Sequence, residues 1–206
     1  MKGLVKRKSL DSHNKRQHIL DAAYTVFSQK GYHRATVDEI ITLADTGKGT
    51  VYNYFVNKER LFYTLIQERS APFHCHLEAI AVDTMQPINK VYALTREFLK
   101  FYSENAGLWR VLLHEMRAFG EVGSTTFNEL QQEKYKENFE KTLGILESVI
   151  KEGTRDGVLQ ECNARQAAYG LFSAIIAIVF QNLVGDDAEV TAKNIANTFL
   201  FGIAVR

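Results

Sequence analysis

Proline and cysteine are scarce in this sequence, and each scarcity excludes a class of structure. Only two prolines occur in 206 residues, which argues against linkers and favours long helices, because proline breaks helix interiors. Cys75 and Cys162 form no CxxC motif and cannot supply a disulfide framework, and they are compatible with a reducing cytoplasm. No apolar run follows the basic start MKGLVKRKSLDSHNKRQ, so we expect no signal peptide and a cytoplasmic protein.

A long apolar run without interruption is also missing. Residues 167–185 carry no charge and are long enough to test as a membrane span. However, Tyr169, Gln181 and Asn182 interrupt this stretch, and its densest apolar run, AIIAIVF, covers only residues 174–180. The pattern therefore favours a helix buried on two sides within a globular protein over one that spans a bilayer.

Charge is balanced overall but unevenly distributed. The formal net charge is +1, with eleven Lys/Arg and six Asp/Glu in residues 1–60 (+5) and fourteen and eighteen in residues 61–206 (−4). A basic head on an acidic body is expected where one end of a protein meets a polyanion, although this asymmetry also arises by chance.

Apolar residues recur at helical spacing along nearly the whole chain, which predicts an all-α fold. Ser12, Asn57 and Asn163 are predicted helix N-caps, and Thr36 with Glu39 three residues later predicts a capping box. The expected helices are 13–30, Thr36 to about Asp45, 47–54, 58–82, 87–105, 107–118, 125–152, 163–184 and 187–205.

The first sixty residues thus contain three short helices, the last two joined by a tight turn, which is the pattern of a helix-turn-helix. The third helix of such a unit enters the DNA major groove. Its stretch TGKGTVYNYF, residues 46–55, supplies a lysine for phosphate or guanine and hydroxyls that donate to phosphate. Val51 and Phe55 are expected in the core. The competing interpretation is that the whole stretch is a packed helical corner.

The stretch ATVDEIITLADTGKGTVYNYFVNKERLF, residues 35–62, resembles the DNA-binding signature of TetR-family transcriptional regulators. The resemblance covers about residues 13–65, because the capping box, the turn and the KGT, YxYF and NKE motifs fall at that family's spacing. It implies a helix-turn-helix DNA-binding domain over residues 1–57 and a helical effector-binding and dimerisation domain over residues 58–206.

The resemblance also implies a set of DNA contacts, with phosphate near the second helix and at the start of the fourth. The implied residues are Arg34, Thr36, Lys48, Gly49, Thr50, Tyr52, Asn53, Tyr54 and Lys58. Three positions depart from the family's pattern. Asp45 stands where glycine is usual in the turn, Gly47 replaces a capping hydroxyl, and Asn53 stands where histidine is frequent, so the operator sequence cannot be borrowed.

In this family the last two helices pair with those of a twin subunit, forming a four-helix bundle about a two-fold axis. Helices as apolar as these two need to be covered, so a homodimer interface agrees with the pattern, the alternative being an intramolecular core. The expected interface residues are Gly170, Ala174, Ile175, Ala177, Ile178, Ile195, Phe199 and Ile203.

The middle helices hold the effector pocket in this family, and their large apolar residues suggest a hydrophobic or amphipathic effector. Many of the candidates are equally expected in the core. They are Phe62, Phe73, His76, Phe98, Phe101, Tyr102, Trp109, Leu113, His114, Arg117, Tyr135, Phe139, Tyr169 and Phe172. Pro72, inside the helix predicted over 58–82, is either a hinge or a plain break between two helices.

The resemblance implies a ligand-responsive regulator, a repressor by family frequency, that binds a palindromic operator as a homodimer. One rival is a helical enzyme or metal-binding protein with a merely structural head. No GxSxG, HExxH or P-loop motif supports it, and the adjacent ligands of HCH, residues 74–76, do not share a helix face. A second rival, an architectural DNA-binding protein, would spread basic residues along the whole chain. No enzyme activity, metal or cofactor is expected.

Overall fold

The computed structural model describes residues 2–117 and 129–203, with side chains over 14–115 and 132–203. Those residues form helices and no strand, which confirms the all-α prediction. The helices are α1 (Lys2–Arg34), α2 (Val37–Leu43), α3 (Lys48–Tyr54), α4 (Lys58–Val82), α5 (Pro87–Glu104), α6 (Ala106–Arg117), α7 (Glu129–Arg155), α8 (Ala164–Phe180) and α9 (Ala188–Phe201).

The first helix begins earlier than the sequence predicts. We expected a start at residue 13 behind Ser12, but α1 runs from Lys2, so that boundary was wrong. No proline precedes Ser12, and serine acts as an N-cap only where the chain before it is non-helical. Near the other end, Gly31 interrupts the helical conformation at φ 77°, a left-handed value that glycine adopts at little cost.

Three of the predicted caps are confirmed. Thr36 and Glu39 form the capping box at the start of α2. The Asn57 side chain accepts the Arg60 amide at 2.7 Å, and the Asn163 side chain accepts the Gln166 amide at 3.0 Å. Short polar side chains therefore satisfy the first free N–H groups of these helices, and this fixes where the chain enters each of them.

Two predicted helix ends moved, and two predicted boundaries lie outside the described residues. α8 stops at Phe180 and α9 at Phe201, each a few residues short of the prediction. Asn182 (φ 55°) and Gly202 (φ 71°) adopt left-handed backbone conformations at these ends, which a continuing helix does not allow. The predicted end of the sixth helix at residue 118 and the predicted start of the seventh at residue 125 lie outside the described residues.

The helix predicted over 58–82 is confirmed, because α4 continues through Pro72, and this excludes the alternative of a plain break between two helices. Proline removes one backbone hydrogen bond but holds φ near the helical value, so flanking interactions can keep the helix intact. Here Phe73 and Leu77, immediately downstream, are buried.

The contacts divide the chain into two compact units. The first comprises Met1–Arg69 and Gly107–Phe127, and the second comprises Ser70–Ala106 and Asn128–Arg206. In the first unit α1 packs against α2 and α3. An aromatic group at its centre brings the Phe62 ring edge-on to Phe27 at 4.9 Å and to Tyr32 at 5.1 Å, a favourable aromatic arrangement.

The second unit is organised around α5, which packs against α7, α8 and α9. One charged side chain lies in its interior. The Lys90 side chain is only 4% exposed, and its ammonium donates to both Glu152 carboxylate oxygens at 2.9 Å and to the Ala81 carbonyl at 3.0 Å. None of the helices in the described ranges is both long and apolar enough to cross a lipid bilayer.

We predict that Lys90→Ala lowers the free energy of unfolding by about 3 kcal/mol, because it leaves Glu152 without its counter-charge in a partly buried position. Urea denaturation followed by circular dichroism, at a fixed protein concentration, measures the change. Lys151→Ala is the matched control, because that exposed ammonium pairs with Glu147 on the surface and its loss should cost no more than about 0.5 kcal/mol. Equal losses in the two variants would contradict the assignment of Lys90 as a structural ion pair.

Candidate nucleic-acid interface

The turn between α2 and α3 is set by local chemistry. In the capping box Thr36 Oγ1 accepts the Glu39 amide at 3.3 Å, and the Thr36 amide donates to Glu39 Oε2 at 3.1 Å. After α2, Asp45 adopts φ 47°, a left-handed conformation that aspartate tolerates better than most residues. Gly47 is then the N-cap of α3 and supplies no side-chain cap. The departures at positions 45 and 47 therefore preserve the turn.

One apolar side of helix α3 packs into the interior of the first unit. Val51 and Phe55 are 1% and 2% exposed, as the sequence predicted, and Ile40 of α2 is fully buried. Because side chains follow one another at about 100° around a helix, burying this side turns the other residues outward.

The outward side of α3 carries the predicted DNA-contacting residues. Lys48, Gly49, Tyr52 and Asn53 are exposed, with Tyr52 at 42%, whereas Thr50 and Tyr54 are half-buried. A methyl group added to Gly49 would meet no described atom within 4 Å. The fold itself therefore does not require glycine at this position, and the space in front of it is open to a partner.

Weak surface interactions hold the charged groups beside this face. Lys48 Nζ lies 3.2 Å from Asp38 Oδ1, and both side chains are largely exposed, so water and salt screen the pair. Lys30 Nζ lies 2.5 Å from Glu39 Oε1, and this hydrogen bond lowers the pKa of the Glu39 carboxyl. Arg34 is exposed and its Nε donates to the Lys30 carbonyl at 3.1 Å.

The ammonium of Lys58 is surrounded by protein groups, unlike that of a lysine that is free to bind a phosphate. Its Nζ donates to the carbonyls of Tyr32 and Ala35 at 2.9 and 3.1 Å, with the His33 carbonyl at 3.4 Å. The ammonium also lies 4.5 Å from the centre of the Tyr32 ring. Burial lowers the pKa of this amine, and the charge of Glu115 partly opposes that effect. The implied phosphate contact of Lys58 stays a prediction, while the structure gives this lysine the role of holding the α1–α2 connection.

Glu115 of α6 is a buried polar residue of the first unit that the sequence analysis did not identify. Its side chain is 5% exposed, and Oε2 lies 3.1 Å from His33 Nε2. One signal was available, because Leu108, Leu112 and Glu115 follow one another at helical spacing on the buried face of α6. A carboxylate on an apolar face indicates a buried partner, but the sequence does not say that the partner lies 82 residues upstream.

The residues predicted for the effector pocket are divided between the two units. Phe62, Trp109, Leu113 and His114 belong to the first, where Phe62 is core and His114 is exposed. The Arg117 side chain lies outside the described residues.

Most of the other pocket candidates lie in or near one aromatic cluster of the second unit. Phe73 stacks on Phe101 at 4.1 Å, and Phe172 meets Tyr102 at 5.6 Å and Phe139 at 5.2 Å. Burial raises the pKa of the Tyr102 phenol well above its ordinary value. Phe98 and Tyr169 also belong to or adjoin this group and are buried or half-buried. Tyr135 is buried in the same unit, whereas His76 is exposed.

The side chains of the HCH segment have separate environments. His74 Nε2 lies 2.9 Å from the buried Thr142 hydroxyl, and burial lowers the pKa of this imidazole. Cys75 is exposed, and His76 Nδ1 lies 3.5 Å from Glu97 Oε2. Within the described ranges, no three His, Cys, Asp or Glu side chains come together in a metal-binding group.

An open apolar groove of about 570 Å³ lies between α8 and α9. Five of the residues predicted for the dimer interface line it, namely Gly170, Ala174, Ile178, Ile195 and Phe199. Of the other three, Ile175 is fully buried, Ala177 is exposed and Ile203 is 90% exposed. The apolar surface that the sequence predicted on these two helices is therefore open in the single chain.

Known regulators resemble this chain in sequence and in fold. Residues 19–64 match the family model described as bacterial regulatory proteins, tetR family. The uncharacterized HTH-type transcriptional regulator YhgD of Bacillus subtilis (strain 168) is 29% identical over 181 residues, 81% of this chain and 83% of that protein. The fatty acid metabolism regulator protein of the same strain is 25% identical over 193 residues, 92% and 95% of the two chains. The crystal structure of the transcriptional regulator FadR from Bacillus subtilis in complex with stearoyl-CoA matches with a TM-score of 0.75 at 26% identity, covering 91% of this chain and 99% of that chain.

The two lysines of the candidate interface are expected to respond differently to substitution. Lys48→Met should reduce the slope of log K against log salt for DNA binding by about 0.9 per protomer, because it removes a phosphate contact. Lys58→Met should weaken binding and lower the thermal stability of the protein but leave the slope unchanged, because its ammonium is held by carbonyls. Fluorescence anisotropy of labelled duplex DNA across a salt series measures both effects. A reduced slope in Lys58→Met would instead make Lys58 a phosphate ligand.

Proposed function

This chain belongs to the TetR family of bacterial regulatory proteins, and from that premise we propose that it is a homodimeric repressor acting on DNA in the cytoplasm. It binds a palindromic operator through the helix-turn-helix domain of residues 1–57. A small amphipathic effector, held in the domain of residues 58–206, releases it. The relatives are transcriptional regulators rather than enzymes, and this chain is a ligand-responsive regulator of the same kind.

The observation that carries the DNA-binding proposal is the two-sided character of α3. Val51 and Phe55 bury one side, and the other side presents Lys48, Tyr52 and Asn53 to solvent. The lysine and the phenol supply donors to phosphate oxygens, and an asparagine amide has the donor and acceptor that adenine presents in the major groove. A helix of seven residues with this division of side chains is suited to docking rather than to packing in a core.

The groove between α8 and α9 supports the homodimer. It exposes Gly170, Ala174 and Ile178 of α8 beside Phe199 of α9. An exposed apolar surface of this kind marks an interaction site in a soluble protein, and small residues allow the helices of a partner to approach closely. Two copies joined here would carry two reading heads, which is what an inverted-repeat operator requires.

For the effector we propose the class of long-chain acyl thioesters. The likeness to the fatty acid metabolism regulator protein of Bacillus subtilis at 25% identity, and to the structure of Bacillus subtilis FadR bound to stearoyl-CoA at 26% identity, suggests it. The body of this chain supplies a compatible environment, because its interior is a large cluster of aromatic side chains that an acyl tail could join after rearrangement. The effector acts only through a different affinity for the DNA-binding and released states.

Operator selection tests the function directly. Purified protein retains sequences from a random duplex pool at physiological salt, and we expect the recovered motif to be an inverted repeat. Stearoyl-CoA, added to the complex with that motif, should raise the dissociation constant at least tenfold, and free coenzyme A is the control for its headgroup. If protein that has been stripped of bound ligand by refolding still recovers no motif, the operator-binding function is rejected. A motif whose affinity is indifferent to stearoyl-CoA would reject only the effector class.

A substitution in the groove tests the dimer. Ala174→Glu should weaken dimerisation by roughly a hundredfold, because two unpaired carboxylates would be buried in the interface. Ser173→Glu introduces the same charge at the neighbouring exposed position, which does not line the groove, and should leave the dimer intact. Sedimentation equilibrium over a concentration series measures both dissociation constants. A dimer that survives Ala174→Glu unchanged would exclude this surface as the interface.

A further inference from the structure

A second polar surface lies beside the recognition helix, in a cleft of about 430 Å³ in the first unit. Asn14, Lys15 and His18 of α1 form one wall, and residues 44–47 of the turn with Thr50 of α3 form the other. The cleft thus contains Thr50, one of the predicted DNA contacts, and Gly47, the residue that begins α3. Any DNA that docks on α3 therefore passes close to the opening of this cleft.

The charges on the two walls favour an anion. Lys15 and His18 are exposed, and among the residues whose side chains the structure describes, Asp45 is the only acidic one that lines the cleft. Lys15 forms no ion pair or hydrogen bond with the described residues, which distinguishes it from most basic side chains of the same unit. Carboxylates or backbone carbonyls already hold Arg16, Lys30, Arg34, Lys48, Lys58 and Arg69.

We propose that this cleft is a phosphate-binding site that extends the DNA interface from α3 across the turn to α1. Lys15 supplies the charge, and Asn14, Thr50 and His18 supply hydrogen-bond donors around a backbone phosphate. The proposal rests on the DNA-binding function proposed above and adds a contact outside the helix-turn-helix motif. Because phosphate carries no sequence information, this site adds affinity and orientation without changing the operator that is read.

The sequence upstream of the cleft is also net basic. α1 continues upstream of the cleft as helix to Lys2, and the sequence of that extension, KGLVKRKSLDSH, contains four Lys/Arg and one Asp. A phosphate bound at Lys15 would therefore lie at the C-terminal end of this basic segment. The net charge of +5 in residues 1–60 agrees with an interface wider than α3 alone.

The salt dependence of DNA binding distinguishes this site from a passive surface. Lys15→Gln should weaken binding to the selected operator and to an unrelated duplex by the same factor and lower the salt slope by about 0.9 per protomer. For a dimer, the ratio of wild-type to variant affinity should fall roughly tenfold between 50 and 200 mM salt. Asp45→Asn should tighten binding to both duplexes, because asparagine keeps the left-handed turn conformation and removes a negative charge from the wall of the cleft.

Lys136→Gln is the matched control, because it makes the same charge change at an exposed position of α7 in the other unit and should leave affinity and slope unchanged. Circular dichroism and thermal unfolding of each variant establish that the fold is retained, and Lys15→Met, which removes the same charge, replaces Lys15→Gln if that variant unfolds. Wild-type slope and affinity in Lys15→Gln, while the wild-type protein still prefers its operator, would overturn this site alone. A wild-type protein without operator preference would instead reject the proposed function.

Discussion

The burial of one side of α3 is the constraint on which the DNA-facing surface depends. A helix of seven residues is not stable by itself, because the first turn orders several residues before hydrogen bonds compensate for the lost entropy. Val51 and Phe55 supply the missing stabilisation by packing into the first unit, where the guanidinium of Arg16 lies 5.6 Å from the centre of the Phe55 ring. The direction of Lys48 and Tyr52 follows from the same contact, because helical geometry leaves those residues no other side.

The polar groups of the same unit solve a second problem, which is how to end α1 and enter α2 within a few residues. Carbonyls at the end of a helix have no helical partner. Here the ammonium of Lys58 donates to the carbonyls of Tyr32 and His33 at the end of α1 and to that of Ala35 just beyond it, which uses all the hydrogen-bond donors that a lysine has. A lysine whose donors are all engaged in this way has little capacity to bind a phosphate. Lys58 therefore acts mainly by holding the connection between α1 and α2 in place. Lys15 forms no hydrogen bond or ion pair with the described residues, so its ammonium is available to bind a phosphate.

The regulatory function requires the body to have two arrangements with different consequences for DNA affinity. A hundredfold loss of operator affinity corresponds to about 2.7 kcal/mol of difference in effector binding between the two states. Rearranging an aromatic cluster provides energies of this size, since each edge-on or stacked ring pair contributes about 1 kcal/mol beyond its buried area. The stacked pair of Phe73 and Phe101 is therefore a natural component of such a change.

Sequence reasoning worked best where the cause of a structure lies within a few residues. The capping box at Thr36, the caps at Asn57 and Asn163, and the turn at Asp45 each depend on one side chain and its own backbone neighbours. The buried side of α3 was also predictable, because helical spacing alone assigns Val51 and Phe55 to the same side. It failed at the start of α1, where the helix continues upstream of the serine that was predicted to cap it.

By itself, the sequence determined the helical class, most helix ends and the residues that α3 exposes, because these follow from hydrogen bonds and periodicity along the chain. Tertiary structure decided which distant groups meet. It brought Lys58 to the carbonyls of residues 32, 33 and 35, Glu115 to His33, and Lys15 to the turn before α3. No local pattern encodes these meetings, because each depends on how separate helices pack, and packing responds to the whole set of buried surfaces rather than to any one segment.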